Sequence, residues 1–288
     1  SEHLFIKKNF FMHLEYKSKE SEFLMAEETV RFSNEQEKIG NEILSKMMVS
    51  QNDKIVSIYT RDSSYLDNKY KNIDWSYHDY RNTNIKIYIK AIKYLIKEGY
   101  KVIRIGSEFS KSLGLVDDYF FEYNLSEYKS GLMDLFIPYK SNFIIGCKSG
   151  ATDISLLFQT PLLVTDLTAF MEIPLGKNDL FIQKKIFGLN NEIIPFKEII
   201  SKDQLYTHNG NEFQSKYKMK YIDNTEEEIL SATKEMNHRI NNNFELTNTQ
   251  KALLRRYHVE YCKKNKFTNM PAPISISWLE NNSDLYLD

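Results

Sequence analysis

The sequence predicts an α/β protein, with a Rossmann-like parallel sheet followed by C-terminal helices. Short apolar runs alternate with segments of helical spacing between residues 54 and 165. The connections between these segments are short, and the apolar runs contain few polar residues. Strands of this kind are buried on both faces, which is typical of a parallel sheet covered by helices on each side.

The alternation begins with a helix predicted over residues 34–50, where apolar side chains recur at helical spacing and Ser33 can cap the N-terminus. A strand rich in β-branched residues follows over 54–60. A polar loop then leads to a second amphipathic helix over 85–97, which Gly99 terminates. These elements form the first strand and crossover of a parallel sheet.

The rest of the alternation follows the same pattern of apolar runs and amphipathic segments. In chain order it consists of strands at 101–106 and 120–124, a helix at 132–139, a strand at 142–146, a helix at 151–158 and a strand at 161–165. Beyond about residue 178 the alternation fades, and two helices are predicted over 225–240 and 248–262. The first of them starts with Thr225 and Glu228 at capping-box spacing.

Composition excludes several classes of function. The 288 residues carry a formal net charge of −1, from 38 Lys and Arg against 39 Asp and Glu, so no basic excess favours a nucleic-acid partner. The two cysteines, Cys147 and Cys262, stand in unrelated contexts and indicate neither a disulfide framework nor a zinc site. A reducing, cytoplasmic location fits this cysteine usage. No apolar run reaches the roughly 18 residues of a membrane span.

Candidate site residues follow the predicted strands, because ligands of open parallel sheets bind outside the carboxyl ends of the strands. These positions are rich in Arg, Gly, Ser and Asp, which suits a phosphate-bearing ligand. The candidates are Arg61, Asp62, Arg104, Gly106, Ser107, Lys148, Ser149, Gly150, Asp153, Thr165 and Asp166.

The strongest candidate is the segment 148–153, where small residues lead from a strand directly into a helix. Free backbone N–H groups at such a point can hold a pyrophosphate or sugar hydroxyls. The alternative is a tight turn in which Ser149 or Thr152 is an ordinary helix cap. Lys148 does not directly follow a glycine, as a P-loop requires, and no Gly-x-Gly-x-x-Gly occurs. A P-loop and a nicotinamide or flavin site are therefore not predicted.

The charged candidates each have a functional and a structural interpretation. Arg61 is expected to contact a phosphate or the acceptor, with Asp62 as general base or as the group that orients a sugar hydroxyl. The alternative is a surface ion pair that caps a loop. Arg104 lies inside an apolar strand, and its alternative role is an ion pair with Asp62 or Asp166. Arg81 is expected to be solvated.

No metal or cofactor is predicted. The six histidines are scattered, without a His-x-His or His-x-x-x-His pair, and no Asp-x-Asp follows an apolar strand.

Nine short motifs follow one another in a fixed order along the chain. They are Tyr-Thr-Arg-Asp-Ser-Ser-Tyr-Leu at 59–66, Asp-Tyr-Arg-Asn at 79–82, the segment 94–106, Asp-Leu-Phe at 134–136, Phe-Ile-Ile-Gly at 143–146, Ser-Gly at 149–150, Leu-Phe-Gln-Thr-Pro at 157–161, Asn-Thr-Glu-Glu-Glu-Ile at 224–229 and Ile-Ser-Ile-Ser-Trp-Leu at 274–279. Each motif alone is weak, but as an ordered set they resemble a family of bacterial glycosyltransferases predicted to act on surface polysaccharides. The resemblance covers roughly residues 30–285 with gaps.

The resemblance implies a GT-B-type fold, similar to fucosyl- and heptosyltransferases, which act without a catalytic metal. It implies a nucleotide-sugar donor and a glycan or lipid-linked acceptor, and it leaves peripheral association with a membrane open. Arg61 and Asp62 would be the catalytic residues and would face the cleft between the domains. The donor-binding residues would be Arg104, Gly106, Ser107, Lys148, Ser149, Gly150, Asp153 and Thr165. The donor domain would span 51–224, and helices at 225–288 would pack back on it. Residues 1–50 would be a helical or linker segment, a remnant of an acceptor domain that is either truncated in this sequence or minimal.

One departure from the family concerns the end of the first strand, where the family's motif has His-Val before Arg-Asp and this chain has Tyr59-Thr60. If that histidine acts in the chemistry, this protein uses a different group. Two other functions therefore stay open. One is a non-catalytic module that binds a nucleotide sugar or sugar during glycan assembly, and the other is a phosphate-handling α/β enzyme such as an epimerase.

Overall fold

A computed structural model describes residues 30–168, 173–176, 178–201, 209–265 and 272–286. Its strands are β1 (Lys54–Tyr59), β2 (Tyr100–Ile105), β3 (Phe120–Glu122), β4 (Phe143–Cys147), β5 (Leu162–Leu167), β6 (Leu180–Gln183), β7 (Lys185–Gly188) and β8 (Met219–Ile222). The first six form one sheet in the order β3-β2-β1-β4-β5-β6, and every neighbouring pair in it is parallel. The predicted α/β fold with a Rossmann-like parallel sheet is therefore confirmed.

Helices connect and cover these strands. They are α1 (Asn34–Lys46), α2 (Ser64–Lys69), α3 (Ile89–Lys97), α4 (Gly131–Lys140), α5 (Gly150–Asp153), α6 (Ser155–Phe158), α7 (Phe196–Ser201), α8 (Gly210–Tyr217), α9 (Glu226–Ile240), α10 (Asn248–Asn265), α11 (Ile276–Asn281) and α12 (Ser283–Tyr286). Single turns of 3₁₀ helix lie at Ser76–Arg81, Ile85–Tyr88 and Tyr123–Leu125.

Each face of the sheet has its own apolar core, because successive strand residues point to opposite sides. Ile55 of β1 belongs to a core with Leu44 of α1 and Met133 of α4. The next residue, Val56, belongs to the larger core, which contains Ile92 of α3 and the apolar side of α9. Residues 55–58 of β1 are all buried, which explains the uninterrupted apolar runs in the sequence.

The C-terminal helices pack on the sheet through α9, which contacts α3, β5, β6 and α11. The predicted capping box at its start is present: the Thr225 hydroxyl accepts from the Glu228 N–H at 3.2 Å, and Glu228 accepts from the Thr225 N–H at 2.8 Å. The division into segments 1–50, 51–224 and 225–288 stays a prediction, and residues 1–29 lie outside the described residues.

Two features differ from the sequence prediction. The helix expected over 151–158 is two short helices, α5 and α6, which meet at Ile154. The region after residue 178 contributes a sixth parallel strand, β6, and then an antiparallel pair, β7 with β8. These strands have only four residues each, and the two partners of the antiparallel pair lie far apart in sequence. Their apolar runs are therefore too short to show a period.

Candidate ligand-binding cleft

A cleft of about 710 Å³ opens at the carboxyl ends of β1, β2 and β4. Its walls are the loops that follow these strands and the start of α4. The structure brings six of the predicted site residues together in its lining: Arg61, Asp62, Gly106, Ser107, Ser149 and Gly150. Tyr59, Glu108, Lys129, Ser130 and Asp134 also line it. The volume lies within the usual range for small-molecule sites.

Arg61 lies directly after β1, and its backbone is fixed to β4. Its N–H donates to the Cys147 Sγ at 3.0 Å, while its guanidinium donates to the His78 carbonyl at 3.1 Å and to the Asn82 side-chain oxygen at 3.0 Å. None of these acceptors carries a negative charge. Burial lowers the pKa of Arg61, and the nearby charge of Arg81 lowers it further. Within the described residues, Arg61 therefore offers a positive charge that forms no ion pair, at the edge of the cleft.

Cys147 serves this arrangement as a structural acceptor. The side chain is buried at the end of β4, and burial raises the pKa of its thiol to about 12. A thiol with that pKa stays protonated at neutral pH, so it is not a nucleophile.

Asp62 has one carboxylate oxygen engaged with the start of α2. That oxygen accepts from the Ser64 N–H at 3.0 Å and also from the Ser64 hydroxyl. Its second oxygen has no hydrogen-bond partner in the part of the chain that the structure describes. Asp62 can therefore still accept a hydrogen bond from a ligand hydroxyl.

Tyr59 stands where the similar family has a histidine, and its side chain lines the cleft. Burial is the main reason that the pKa of its hydroxyl rises to about 12; a hydrogen bond with Ser149 acts in the opposite direction. The hydroxyl is therefore protonated at neutral pH. Tyr59 can donate a hydrogen bond but does not replace a histidine as a general base.

Ser149 caps α5 in the way that the structural alternative predicted. Its hydroxyl accepts from the Ala151 N–H at 3.1 Å, and the Thr152 hydroxyl accepts from the Ser149 N–H at 3.0 Å. Gly150 differs, because a Cβ built on it would meet no atom within 4 Å. Its backbone therefore faces the open space of the cleft. Since α5 has only four residues, its dipole is much weaker than that of the longer helix predicted from the sequence.

Arg104 does not line the cleft. Its guanidinium is buried and lies 2.6 Å from the Glu122 carboxylate on the neighbouring strand β3, and it also donates to the Lys111 carbonyl at 2.7 Å. Its predicted partners, Asp62 and Asp166, are therefore wrong. The geometry gives no support to a donor-binding role for Arg104, since its charge is already neutralised.

The candidate Asp166 also lies outside the cleft lining, buried, where it accepts from the Thr83 hydroxyl at 2.7 Å. Three donor-binding candidates lie outside the lining as well. Lys148 and Asp153 form an ion pair with each other. Thr165 is buried, and its hydroxyl shares a 2.5 Å hydrogen bond with the Tyr88 hydroxyl at the α3 side of the sheet. The donor-binding roles predicted for these three residues find no support in their positions.

The sequence did not indicate that the side chain of Arg81 lies beside the cleft. It ends the 3₁₀ turn Ser76–Arg81, and its guanidinium donates to the Lys148 carbonyl at 3.3 Å, beside the cleft loop that begins at Ser149. It was expected to be solvated. Its inclusion in the Asp-Tyr-Arg-Asn motif at 79–82 was the one available signal.

Lys184 is the second such residue, and it fixes the segment that carries Arg81. Its buried ammonium donates to the carbonyls of Tyr80 at 3.0 Å and Asn82 at 2.9 Å, and it lies 2.6 Å from the Asp223 carboxylate. It directly follows β6, which the sequence did not predict. A buried lysine could therefore not be anticipated there.

No metal centre is apparent in the described residues: no group of three or more His, Cys, Asp or Glu side chains could hold an ion. The expectation of a metal-independent site stays a prediction. Within the same residues, no helix is long and apolar enough to cross a membrane.

Comparisons with known proteins give one likeness of fold. No protein-family model matches the sequence. No curated protein matches it either. Among solved structures, the chain is similar to a glycosyl transferase family 9 protein from Veillonella parvula DSM 2008, with 11% identity and a TM-score of 0.34. The likeness covers 47% of this chain and 36% of that protein. At this level the comparison carries no information about activity.

Proposed function

We propose that the cleft binds a nucleotide sugar and that the chain is a glycosyltransferase of GT-B type, with a glycan or lipid-linked acceptor. The observation that carries this proposal is the position of Arg61 and Gly150 on one cleft at the carboxyl ends of parallel strands. That is the place where open α/β sheets bind nucleotides. The ordered set of motifs at 59–161 supports the choice of glycosyl transfer over other chemistry.

The phosphates of the donor would lie at the β1–β4 end of the cleft. Arg61 has a charge that is free for a phosphate, and guanidinium groups bind phosphate oxygens through two parallel hydrogen bonds. Gly150 allows the ligand to approach the backbone, because no side chain stands there. These groups would offset the charge that develops on the leaving diphosphate, which is the role of a metal ion in other transferases.

The sugar or ribose hydroxyls would lie toward the β2–α4 end, where Glu108, Lys129 and Asp134 line the cleft. Glu108 is exposed there and forms no hydrogen bond or ion pair within the described residues. Asp134 is paired with Lys129 at 2.9 Å. A carboxylate such as that of Glu108 accepts hydrogen bonds from neighbouring hydroxyls, and it repels phosphate. The charge distribution therefore favours one orientation of a nucleotide sugar.

Asp62 is the candidate general base for transfer. Its free carboxylate oxygen could take the proton of the acceptor hydroxyl as that oxygen attacks the anomeric carbon of the donor. The bond from the anomeric carbon to the diphosphate breaks in the same step, and the diphosphate leaves next to Arg61.

A non-catalytic binding module is the second candidate function. Two observations favour it: Tyr59 replaces the family's histidine and is protonated at neutral pH, and Asp62 is partly engaged by Ser64. Such a module would bind a nucleotide sugar without cleaving it. An epimerase would bind the nucleotide sugar and change its sugar without transfer to an acceptor.

Titration of the protein with UDP, GDP and CMP sugars, followed by calorimetry, tests the proposal directly. We expect one nucleotide class to bind, and we expect Arg61→Gln to weaken that binding. Product analysis by mass spectrometry with candidate acceptors then separates transfer from binding alone. Absence of binding across the whole panel would show that the cleft is not a nucleotide-sugar site.

A further inference from the structure

Two arginine side chains, Arg61 and Arg81, lie at the carboxyl ends of β1 and β4. Arg61 lines the cleft, whereas Arg81 lies beside it, outside the lining. Arg61 follows β1, and the guanidinium of Arg81 donates to the carbonyl of Lys148, which follows β4. The two charges are close enough for Arg81 to lower the pKa of Arg61, after burial, which has the larger effect. Like charges that lie near each other repel, and the partial burial of Arg61 reduces the screening by water.

Nothing in the described parts of the chain neutralises this pair. Arg61 donates to the carbonyl of His78 and the side-chain amide of Asn82, and Arg81 donates to the carbonyl of Lys148. Each guanidinium has five N–H donors, and these bonds use only one nitrogen of each. Both side chains therefore keep donors and a full positive charge for a further partner.

We propose that Arg61 and Arg81 together bind a doubly charged phosphate group, namely the diphosphate of the substrate. Two adjacent guanidinium groups match two phosphates in charge, and their planar donor sets match phosphate oxygens in shape. The open backbone at Gly150 lies two residues after Lys148 and leaves room for the same group. The identity of the ligand as a nucleotide diphosphate rests on the function proposed above, whereas the anion site itself does not.

A purely structural role for Arg81 makes different predictions. In that case Arg81 would only fasten the turn Ser76–Arg81 to the loop after β4. Its removal would then lower the melting temperature of the ligand-free protein and leave anion affinity unchanged. If Arg81 belongs to an anion site, its removal relieves the repulsion with Arg61 in the ligand-free protein. The melting temperature would then change little, while anion affinity falls.

Calorimetric titration with inorganic pyrophosphate at constant ionic strength distinguishes these roles. We expect Arg81→Gln to weaken pyrophosphate binding by about tenfold to a hundredfold, the range for hydrogen bonds to charged groups. Arg81→Lys keeps the charge but lacks the planar donor set, so its pyrophosphate affinity should lie between those of the wild type and Arg81→Gln. Arg256→Gln, which removes an exposed arginine of α10, is the matched control and should bind as the wild type does.

The possible outcomes of these titrations each support or contradict the anion site. Equal pyrophosphate affinity in folded Arg81→Gln and wild-type protein overturns the anion site, as does a wild type that binds no pyrophosphate. If Arg81→Gln fails to fold, unchanged affinity in Arg81→Lys serves the same purpose. Pyrophosphate binding that depends on Arg81, without binding of any nucleotide sugar, supports the anion site and contradicts the proposed function. Nucleotide-sugar binding that does not change when Arg81 is replaced supports the proposed function and contradicts the anion site.

Discussion

The guanidinium of Arg104 lies 2.6 Å from the carboxylate of Glu122, directly opposite it in the register of β2 and β3. The side chain of Arg104 is only 3% exposed and that of Glu122 only 15%. Burial alone would raise the pKa of Glu122, but hydrogen bonds from Ser112, from the Leu113 N–H and from Arg104 together lower it. The pair therefore belongs to the structure of the sheet, and neither residue lines the cleft.

Arg104→Ala should accordingly destabilise the protein without changing ligand affinity. It leaves a largely buried carboxylate without its partner, which costs about 3–5 kcal/mol. Urea denaturation gives the loss of stability, and calorimetry on the folded variant gives the affinity for pyrophosphate or nucleotide sugar. A folded variant of normal stability with weakened affinity would restore the donor-binding role predicted from the sequence.

Asp166 should make stability depend on pH between about 4 and 6. It is buried, and burial raises the pKa of its carboxyl from 3.8 to about 6, while Lys184 opposes the rise. Because the folded pKa is the higher one, this contribution to stability is fully present below pH 3.8 and is lost as pH rises through about 6. The size of the effect is at most about 3 kcal/mol, at roughly 1.4 kcal/mol per pH unit.

The variant Asp166→Asn isolates this contribution. Its side chain has the same shape and can still bond with Thr83 and the Asn224 N–H, whose bonds to Asp166 are each 2.7 Å long. The free energies of unfolding of the wild type and the variant should be measured between pH 4 and 7. The two values should converge at low pH, because the wild type gains stability as Asp166 takes up a proton and the variant does not. A difference between the two proteins that does not vary with pH would contradict the shifted pKa.

The sequence predicts β1, β2, β4 and β5 well because these strands are buried on both faces, so their residues are mostly apolar. It does not predict β6, which has four residues and pairs with β5 across a register irregularity between Val164 and Leu167. The antiparallel pair β7–β8 depends on contacts between segments that lie far apart in the chain. Pairing between distant segments cannot be predicted from the local sequence of either strand.

The candidate site was predictable to the extent that the parallel sheet determines it. Arg61 and Gly150 follow strands, and the carboxyl ends of parallel strands meet at one edge. The partner of Arg104 was predicted wrongly because the position of Arg104 in the sequence does not show that Glu122 would lie opposite it on β3. Arg81 was missed because its contact with Lys148 joins residues 67 positions apart. Tertiary contacts of that kind set the positions of both arginine side chains, and the local sequence does not show them.

Glu108→Gln should separate the two ends of the cleft. The change removes a negative charge where we place the ligand hydroxyls, so nucleotide-sugar affinity should fall by about tenfold. Pyrophosphate, which would bind at the Arg61 end, should bind equally well or slightly more tightly. Asp118→Asn is the control, because Asp118 is exposed before β3, at the opposite end of the strands. Equal losses for both ligands would contradict the proposed orientation.

Transfer activity should survive removal of divalent metal ions. No group of metal-ligating side chains occurs in the described ranges, and Arg61 with the backbone at Gly150 would take over the electrostatic role. Assays with and without EDTA, on protein first freed of metal, provide the measurement. Complete loss of activity that Mn²⁺ or Mg²⁺ restores would place the enzyme in a metal-dependent class.

Gly146 and Gly150 should respond to substitution in opposite ways, although they lie four residues apart on the same strand and loop. A Cβ at Gly146 would overlap the backbone carbonyl of Tyr59 on β1, so Gly146→Ala should destabilise the sheet by about 1–3 kcal/mol. A side chain at Gly150 meets only the open cleft, so Gly150→Val should change stability by no more than about 1 kcal/mol. It should nevertheless abolish binding of nucleotide sugar, because a branched side chain there keeps phosphate oxygens away from the backbone N–H groups and from Arg61. Thermal denaturation and calorimetry on both variants give the two quantities. If Gly150→Val folds normally and binds the nucleotide as the wild type does, the phosphates lie elsewhere on the protein.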